Sequence, residues 1–396
     1  MRTRRSTILL LLALVLVISL TISGCATGVR GIAQGWAGGT VSGDTAFVGS
    51  MEGKIVALAV SDGSMLGEPI KLEAQATSSG FGCLPTGSAA VAVYGSPVFQ
   101  EGLVYVGGYD GKVRAFLFEQ GRLRQEPRWI SRQGDIGGNI IGGLVVTREM
   151  VYFGASDGKV YALDAVDGHK LWDYPSEGKF WSTPAVSGDT IFIGGFDRKL
   201  YAINAADGSE KWVFETEGTI VSTPVVSGGT VYVGSFDRHV YAVDATSGEQ
   251  VWRYPASEEE VNTPIGWFWA TPVVHNGEVY APNLDGRVYV LDAASGRRIS
   301  DFDLGAPISS APVLVNDLLI VATTSTNRSK QRGEIFSLDT SSRQQKLLQD
   351  LGESVHAPLF TDGSTVYVHT MKDSLFAIDT QTGASRKFAL TAETGE

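Results

Sequence analysis

Cysteine, histidine and positive charge are all scarce in this chain of 396 residues. Cys25 and Cys83 are its two cysteines, and if Cys25 is modified, Cys83 has no partner for an internal disulfide. The five histidines are scattered and lack the spacing of a metal site. Acidic residues outnumber Lys and Arg by 43 to 32, so the chain lacks the positive footprint that nucleic-acid binding requires. Stability must therefore come from packing, and the sequence predicts no nucleic-acid partner.

The N-terminus has the layout of a bacterial lipoprotein signal. Three arginines precede an apolar run at 8–20, and Ile22-Ser23-Gly24-Cys25 follows it. We predict a signal peptide at 1–24, lipidation of Cys25 and a tether at 25–35; an ordinary cleaved signal peptide is the alternative. The mature chain, with a formal charge near −14 after loss of the three arginines, would be extracytoplasmic. Its anchor would lie in the outer membrane if the cell has one, and otherwise on the outer face of the cytoplasmic membrane.

The rest of the chain repeats one pattern. The segment IFIGGFDRKLYAINAADGSEKW (191–212) returns as VYVGSFDRHVYAVDATSGEQVW (231–252), and six further units align on one small or apolar residue. These aligned residues are Ala57, Ala115, Ala162, Ala202, Ala242, Val290, Ser337 and Ala377. Apolar residues alternate with the period of strands, and Gly and Asp recur at the turns. Units of four short strands repeated at 40–58 residues predict an all-β, eight-bladed β-propeller of four-stranded antiparallel blades over 36–392, with a tail at 393–396. A seven-bladed ring with an irregular cap is the alternative, and residues 26–35 could add a strand.

Three consecutive units carry a more specific motif. ALDAVDGHKLW (162–172), AINAADGSEKW (202–212) and AVDATSGEQVW (242–252) resemble the repeat of quinoprotein-like, or PQQ-like, propellers. In that family the tryptophan of the outer strand packs on the next blade, so the resemblance implies structural docking by Trp172, Trp212 and Trp252. Ser300 stands where the sixth unit would have its tryptophan, and units seven and eight also lack one. We therefore expect aliphatic contacts to dock those blades.

The same family contains quinone-dependent dehydrogenases and non-catalytic members. The dehydrogenases need a calcium site and often a vicinal disulfide, whereas this chain has no Cys-Cys pair, no calcium-loop spacing and no Gly-x-Ser-x-Gly elbow. In length and in its predicted anchor the chain is closer to the BamB-type lipoproteins. We interpret it as a non-catalytic protein-binding scaffold without a cofactor or metal. A quinoprotein oxidising an alcohol or sugar and a ligand-sensing module are the alternatives.

Insertions at 74–91, 256–268 and 323–333 would all lie on one rim of the propeller. Aromatic residues begin the innermost strands at the same rim, and loops on a rigid scaffold are where binding concentrates. The candidate binding rim consists of Trp36, Tyr94, Trp181, Trp267, Phe268 and Trp269. We expect it to recognise an envelope protein or peptide; packing of the same aromatics as a core plug is the alternative. The repeated acids of this rim, Glu52, Asp110, Asp157, Asp197, Asp237, Asp285 and Asp373, are interpreted as turn residues.

Overall fold

The structure is a computed structural model that describes residues 35–74, 89–257, 263–324 and 332–390. Every regular element in these ranges is a β-strand, and no helix there is long and apolar enough to cross a membrane. Cys25 and Cys83 lie outside the described residues, as do the predicted signal peptide and most of the predicted tether.

The strands form eight antiparallel sheets of four strands each, which follow one another along the chain. We call the strands of each blade A to D in chain order. Blade 1 contains β1 (Gly39–Ser42), β2 (Thr45–Gly49), β3 (Lys54–Ala59) and β4 (Ile70–Lys71). A two-stranded ribbon follows, made of β5 (Glu73–Ala74) and β6 (Ala89–Ala90). Blade 2 contains β7 (Val98–Gln100), β8 (Leu103–Gly107), β9 (Val113–Glu119) and β10 (Arg122–Ile130).

The next three blades are the most regular. Blade 3 contains β11 (Val145–Val146), β12 (Met150–Gly154), β13 (Lys159–Asp164) and β14 (Lys170–Pro175). Blade 4 contains β15 (Ala185–Ser187), β16 (Thr190–Gly194), β17 (Lys199–Asn204) and β18 (Glu210–Glu215). Blade 5 contains β19 (Val225–Ser227), β20 (Thr230–Gly234), β21 (Val240–Asp244) and β22 (Gln250–Tyr254).

Three blades complete the ring. Blade 6 contains β23 (Val273–His275), β24 (Glu278–Pro282), β25 (Arg287–Asp292) and β26 (Arg298–Asp303). Blade 7 contains β27 (Val313–Val315), β28 (Leu318–Thr324), β29 (Gly333–Asp339) and β30 (Gln345–Asp350). Blade 8 contains β31 (Phe360–Thr361), β32 (Thr365–His369), β33 (Ser374–Asp379) and β34 (Ser385–Ala389). The prediction of an eight-bladed propeller is confirmed, and the seven-bladed alternative is wrong.

The A strands surround a common axis. Strand β1 contacts β7 of the second blade and β31 of the last, so the first and last blades are neighbours. Apolar side chains of adjacent blades form shared clusters; one joins Phe192 and Leu200 of blade 4 to Val231 and Tyr241 of blade 5. Each blade therefore buries its faces against its neighbours.

In the described ranges, no strand is shared between the first and the last blade of the ring. Blade 1 is complete between Gly39 and Lys71, and blade 8 between Phe360 and Ala389. The described fold therefore does not need the additional strand suggested for residues 26–35. An apolar cluster shared by blades 8 and 1, which includes Phe388, Leu390 and Leu58, holds these blades together.

Candidate functional site

The tryptophans of the D strands reach across to the next blade. The indole Nε1 of Trp172 donates to the carbonyl oxygen of Ala205 at 3.2 Å, Trp212 to Ala245 at 3.1 Å and Trp252 to Ala293 at 2.9 Å. Each accepting carbonyl lies in or beside the C–D turn of the following blade. This geometry accords with the docking role proposed for the three tryptophans.

A fourth tryptophan makes the same contact and was missed in the sequence. Trp129 donates to the carbonyl oxygen of Ala165 at 3.1 Å and lies opposite Ala115, as Trp172 lies opposite Ala162. The hairpin of blade 2 is longer and bulged between Leu123 and Trp129, so the spacing from alanine to tryptophan does not match the motif. The alanine that recurs in strand C, here Ala115, could have identified Trp129; the number of residues between alanine and tryptophan could not.

A glycine of the next blade lies under each indole. Gly208 has a φ of +73°, and a Cβ there would lie 2.7 Å from two ring atoms of Trp172. The position therefore requires a residue that adopts positive φ without strain and has no side chain to collide with the indole, and glycine is the residue that does both. The equivalent residues under the other indoles are Gly168, Gly248 and Gly296.

Clusters rich in aliphatic side chains join the blades at each of the last three seams, as expected, but the residues that take the place of the indole differ from seam to seam. Between blades 7 and 8, Leu348 packs against Gly383. Between blades 8 and 1, the aromatic ring of Phe388 takes the place of the indole over Gly63. Leu348 and Phe388 lie on D strands, and the two glycines lie in C–D turns, as in the tryptophan seams.

Between blades 6 and 7 an arginine of blade 7 adds a polar contact to the aliphatic cluster of the seam. The Arg343 guanidinium donates to the Tyr280 hydroxyl at 2.7 Å, forms an ion pair with Glu278 and lies 5.9 Å from the centroid of the Tyr280 ring. Ser300, which replaces the tryptophan, is half-buried; its hydroxyl oxygen is buried and has no hydrogen-bond partner among the described residues. The motif of blade 6 could not predict this contact, because Arg343 belongs to blade 7.

The acidic residues of the B–C turns accept hydrogen bonds from neighbouring groups of the propeller. Asp237 accepts hydrogen bonds from the Tyr241 hydroxyl at 2.9 Å and from the backbone N–H of Glu217 at 2.9 Å, so it ties its turn to the connection that enters blade 5. Burial raises the pKa of Tyr241, and the neighbouring Asp237 raises it further. Asp157 with Tyr161 and Asp285 with Tyr289 repeat the pair. These contacts support the interpretation of the acids as turn residues.

Eight structurally equivalent residues, one per blade, surround the mouth of the central channel; each lies four positions before the strand A residue that pairs with the third residue of strand B. All are half-buried, and none is acidic. We call them the mouth ring: Trp36, Tyr94, Ile141, Trp181, Val221, Trp269, Ser309 and His356. The B–C turns and the connections between blades lie on the same side, which we call the mouth rim.

The predicted rim aromatics fall into three groups rather than one. Trp36 and Tyr94 meet edge to face at 4.7 Å, and Trp181 meets Phe196 of its own blade at 4.7 Å. Trp267 and Trp269 both stack on Phe236 of blade 5, at 4.6 Å and 5.4 Å between centroids. These two tryptophans and Phe236 form the one group of the three that contains two indoles.

Phe268 is not available for binding, which corrects its assignment to the rim. Its side chain is 1% exposed and packs between blades 5 and 6, against Tyr289 and over Gly234. Phe180 and Ile220 occupy the equivalent positions at earlier seams. Neighbouring positions along an extended chain point in opposite directions, so Phe268 lies inward while Trp267 and Trp269 do not.

Ile265 is a rim residue that the sequence did not single out. It is 80% exposed, the highest value among the large exposed apolar residues, and its backbone N–H donates to Asp285 at 3.2 Å. It precedes Trp267 by two residues in the same connection. We call Phe236, Ile265, Trp267 and Trp269 the aromatic patch.

The mouth ring is polar on the side of blades 7 and 8. The hydroxyl of Ser309 and the Nδ1 of His356 are 3.2 Å apart. Burial lowers the pKa of His356, which favours a neutral imidazole. The pair has the residue types of a nucleophile and a base, but no carboxylate in the mouth ring could orient the imidazole.

The calcium-bound quinone of the related dehydrogenases does not fit these residues. In the described part of the chain, the one group of three possible metal ligands consists of Asp164, Asp167 and His169, at the C–D turn of blade 3 and away from the mouth rim. Asp164 accepts the backbone N–H groups of Val166 and Asp167 at 2.7 Å and 3.1 Å, so this carboxylate serves its own turn. The mouth ring itself offers no carboxylate for calcium.

Solved structures with the same fold include a BamB protein, a designed protein and an enzyme. BamB from Moraxella catarrhalis aligns with a TM-score of 0.57 and 18% identity, over 75% of this chain and 88% of that chain. The computationally designed Ika8 protein aligns with a TM-score of 0.63 and 16% identity, over 92% and 98%. The quinohemoprotein alcohol dehydrogenase from Comamonas testosteroni aligns with a TM-score of 0.59 and 16% identity, over 75% and 67%. At such identities the likeness shows the fold alone.

Sequence comparison gives the family. Outer membrane protein assembly factor BamB of Salmonella typhimurium is 31% identical over 97 residues, which cover 23% of this chain and 24% of that relative. The match therefore spans about a quarter of the relative's length. A family model described as outer membrane protein assembly factor BamB matches residues 35–174 and 156–387, which is most of the chain. The protein therefore belongs to the BamB family of PQQ-like β-propellers.

Proposed function

We propose that this protein is a non-catalytic, lipid-anchored extracytoplasmic scaffold that binds an envelope protein or peptide through its mouth rim. The observation that carries the proposal is the aromatic patch, in which two tryptophans stack on Phe236 beside the strongly exposed Ile265. Membership of the BamB family supports an assembly role in the envelope.

The aromatic patch has the composition of a binding hot spot. Tryptophan is enriched at the centres of protein interfaces, where a few residues carry most of the binding energy. Burying an exposed isoleucine such as Ile265 is worth roughly 1.5–3 kcal/mol. Because the stacked rings are already ordered by Phe236, a partner that covers them loses little side-chain entropy.

The predicted anchor would present this rim near the membrane. The backbone N–H of Gly35 donates to the carbonyl oxygen of Met51 in a B–C turn at 3.4 Å, so the described chain starts at the mouth rim. Ten peptide steps separate Cys25 from Gly35, and such a segment spans at most about 35 Å. If Cys25 carries lipid, the binding face stays close to the lipid surface.

In-cell photocrosslinking tests the proposal. A photoreactive amino acid at Ile265 should capture an envelope protein in a discrete band, since this side chain is exposed beside the patch. Val166, which is 67% exposed in a C–D turn on the opposite rim, is the matched control and should give no such band. Equal capture from both positions, or none from Ile265, would contradict a binding role for the mouth rim.

An oxidoreductase role is the competing function, because a quinohemoprotein alcohol dehydrogenase shares the fold. Purified protein is mixed with calcium and pyrroloquinoline quinone, and dye reduction is followed with alcohols and sugars. We expect no saturable turnover, since the mouth ring has no carboxylate to hold calcium. Saturable turnover that is lost on removal of the quinone would overturn the non-catalytic assignment.

A further inference from the structure

The outermost strand of blade 2 differs from the other D strands in length and charge. Strand β10 has nine residues, whereas the D strands of the other blades have two to six. It carries Arg122, Arg124 and Arg128 against a single acidic residue, Glu126, in a chain whose acidic residues outnumber its basic ones. This strand therefore presents positive charge on the perimeter of an acidic propeller.

Two of these arginines make no ionic contact within the fold. Arg124 forms an ion pair with Glu119 of the same hairpin. Arg122 and Arg128 are exposed, and neither forms an ion pair with any residue that the structure describes. Their charges are therefore directed to solvent.

The positive residues of strand β34 show the contrast. Arg386 donates to the carbonyl oxygen of Ser61 in blade 1, and Lys387 forms an ion pair with Glu353 at 2.9 Å. Both cations of β34 thus contact neighbouring parts of the ring. Contacts between elements of the propeller account for the charge of β34 but not for that of β10.

An exposed isoleucine lies at the end of β10. Ile130 is 44% exposed, whereas its neighbour Trp129 is buried in the seam with blade 3. Successive side chains of a strand point to opposite faces, so Ile130 points away from blade 3 and, like Arg128, into solvent. We call Arg122, Arg124, Arg128 and Ile130 the arginine edge.

The backbone of β10 does not suit the addition of another strand. Pro127 has no N–H to donate, and the pairing of β10 with β9 is irregular on both sides of Pro127. Proline, bulges and charged side chains protect an edge strand from further pairing. A partner of this edge is therefore recognised by side chains rather than by the backbone, which is how a flat anionic surface is recognised.

The predicted tether enters the fold next to blade 2. Gly35 lies against the backbone of Val93, in the connection that enters blade 2. At the perimeter, Gln125 of β10 donates to the carbonyl oxygen of Glu68 in blade 1 at 2.8 Å, so the edge lies beside blade 1. Strand D lies three strand spacings, about 14 Å, outward from strand A, and the segment from Cys25 to Gly35 spans at most about 35 Å. An anchor at Cys25 is therefore long enough for the arginine edge to reach the same membrane.

We propose that the arginine edge binds the phosphate groups of anionic phospholipids and holds blade 2 against the membrane. The cellular setting of this inference rests on the lipid anchor of the proposed function. The guanidinium donates in a fork that matches phosphate oxygens, and Ile130 adds an apolar contact among the headgroups. The Debye length is about 8 Å at physiological ionic strength, so the carboxylates of distant blades are screened and the local positive charge decides the contact.

Contact through this perimeter leaves the aromatic patch uncovered. The patch belongs to blades 5 and 6 and to the connection between them, whereas the arginine edge belongs to blade 2. A propeller held by blade 2 therefore keeps its mouth rim open to a protein partner.

Vesicle binding by the unlipidated mature chain tests the arginine edge. Cys25→Ser removes the acylation site, and the protein is sedimented with vesicles of phosphatidylcholine that contain or lack phosphatidylglycerol. We expect binding only to the vesicles with phosphatidylglycerol. Arg122→Gln combined with Arg128→Gln should weaken this binding by roughly thirtyfold, since each arginine near an anionic surface contributes about fivefold.

The matched control removes the same charge from the opposite side of the ring. Arg297 of blade 6 and Lys346 of blade 7 are exposed, and neither forms an ion pair with a described residue. Arg297→Gln combined with Lys346→Gln should bind vesicles as the unsubstituted chain does. All four positions are exposed, so unfolding midpoints should stay unchanged. Equal binding by the two double variants, or binding that does not depend on phosphatidylglycerol, would overturn the proposal.

The outcomes for lipid and for protein are separable. Capture at Ile265 should be the same with and without the Arg122→Gln and Arg128→Gln changes. Capture without edge-dependent vesicle binding contradicts the lipid contact alone, and vesicle binding without capture contradicts the scaffold role alone. An acidic protein that co-purifies with the unsubstituted chain but not with the edge variant, in the absence of vesicle binding, would assign the edge to a protein and overturn the proposal.

Discussion

At the scale of single residues, the stability of the ring depends on pairs of complementary size across the seams. The indoles of the D strands cover glycines of the next blade, and the indole N–H groups satisfy its turn carbonyls. The sequence motif predicted which residues occupy three of these positions. It could not predict Trp129, Arg343 or Phe388. In these seams the blades are docked by a tryptophan at a different distance from the alanine of strand C, or by a side chain of another type.

Replacement of Trp212 by alanine should lower the free energy of unfolding by about 3–5 kcal/mol, because it removes a buried indole and leaves a cavity between blades 4 and 5. Trp212→Phe keeps an aromatic ring but loses the hydrogen bond to Ala245, and should cost about 1–2 kcal/mol. Urea unfolding measures both. Equal losses for the two variants would show that the ring itself contributes little to docking.

Replacement of Gly208 by alanine should destabilise the protein more than replacement of Gly188. Both glycines lie in turns of blade 4 and have positive φ, +73° and +60°, but only Gly208 lies against an indole; a Cβ at Gly188 meets open space. Gly188→Ala should therefore show only the cost of the left-handed conformation, about 1–2 kcal/mol. Comparable unfolding midpoints for the two variants would contradict close packing of Trp172 on blade 4.

At the scale of elements, hairpin geometry was predictable and loop contents were not. The alternation of apolar residues and the recurring glycines predicted four strands per unit, and the strand order agrees. The same alternation explains why Phe268 is buried between two partly exposed tryptophans, a distinction that a list of aromatic residues does not make. Ile265 escaped notice because the equivalent residue of the regular blade 5 is the charged Glu217, so the repeat gives no apolar signal at this position.

The seam between blades 6 and 7 should respond to alkaline pH. Burial, with the hydrogen bond to Glu278, raises the pKa of Tyr280 to about 12, whereas an unfolded tyrosine titrates near 10. The folded state thus retains a proton that the unfolded chain loses, and the stabilisation is lost as pH rises from 10 towards 12. Unfolding free energies measured between pH 9 and 11 should fall less steeply for Tyr280→Phe than for the unsubstituted protein. A slope unchanged by Tyr280→Phe would contradict this assignment.

At the scale of the whole molecule, eight similar sheets form a closed ring whose parts depend on one another. The repeat number in the sequence predicted the number of blades correctly. It could not show how the ends meet, because the closing contacts join residues more than 300 positions apart, such as Ala37 with His369. The function of the mouth rim likewise depends on residues that different blades bring together.

Truncation after Asp350 should abolish cooperative unfolding. Removal of blade 8 exposes apolar faces on both blade 1 and blade 7, including Leu58 and Ile335. In an open row of repeats the remaining units would stay folded. Size-exclusion chromatography and urea unfolding of the truncated chain distinguish the two cases, and a monomer with a cooperative transition would contradict mutual dependence of the blades.

The central claim, that the mouth rim binds a protein partner, is tested most directly by charge substitution at two exposed positions on opposite rims. Ile265→Asp and Val166→Asp should each leave the unfolding midpoint nearly unchanged, because both side chains are largely exposed. The measurement is the amount of the crosslinked envelope partner that co-purifies with each variant. We predict a loss of at least tenfold for Ile265→Asp and no loss for Val166→Asp, since burial of a charge against an apolar partner costs more than about 1.4 kcal/mol. Full retention of the partner by Ile265→Asp would contradict the account.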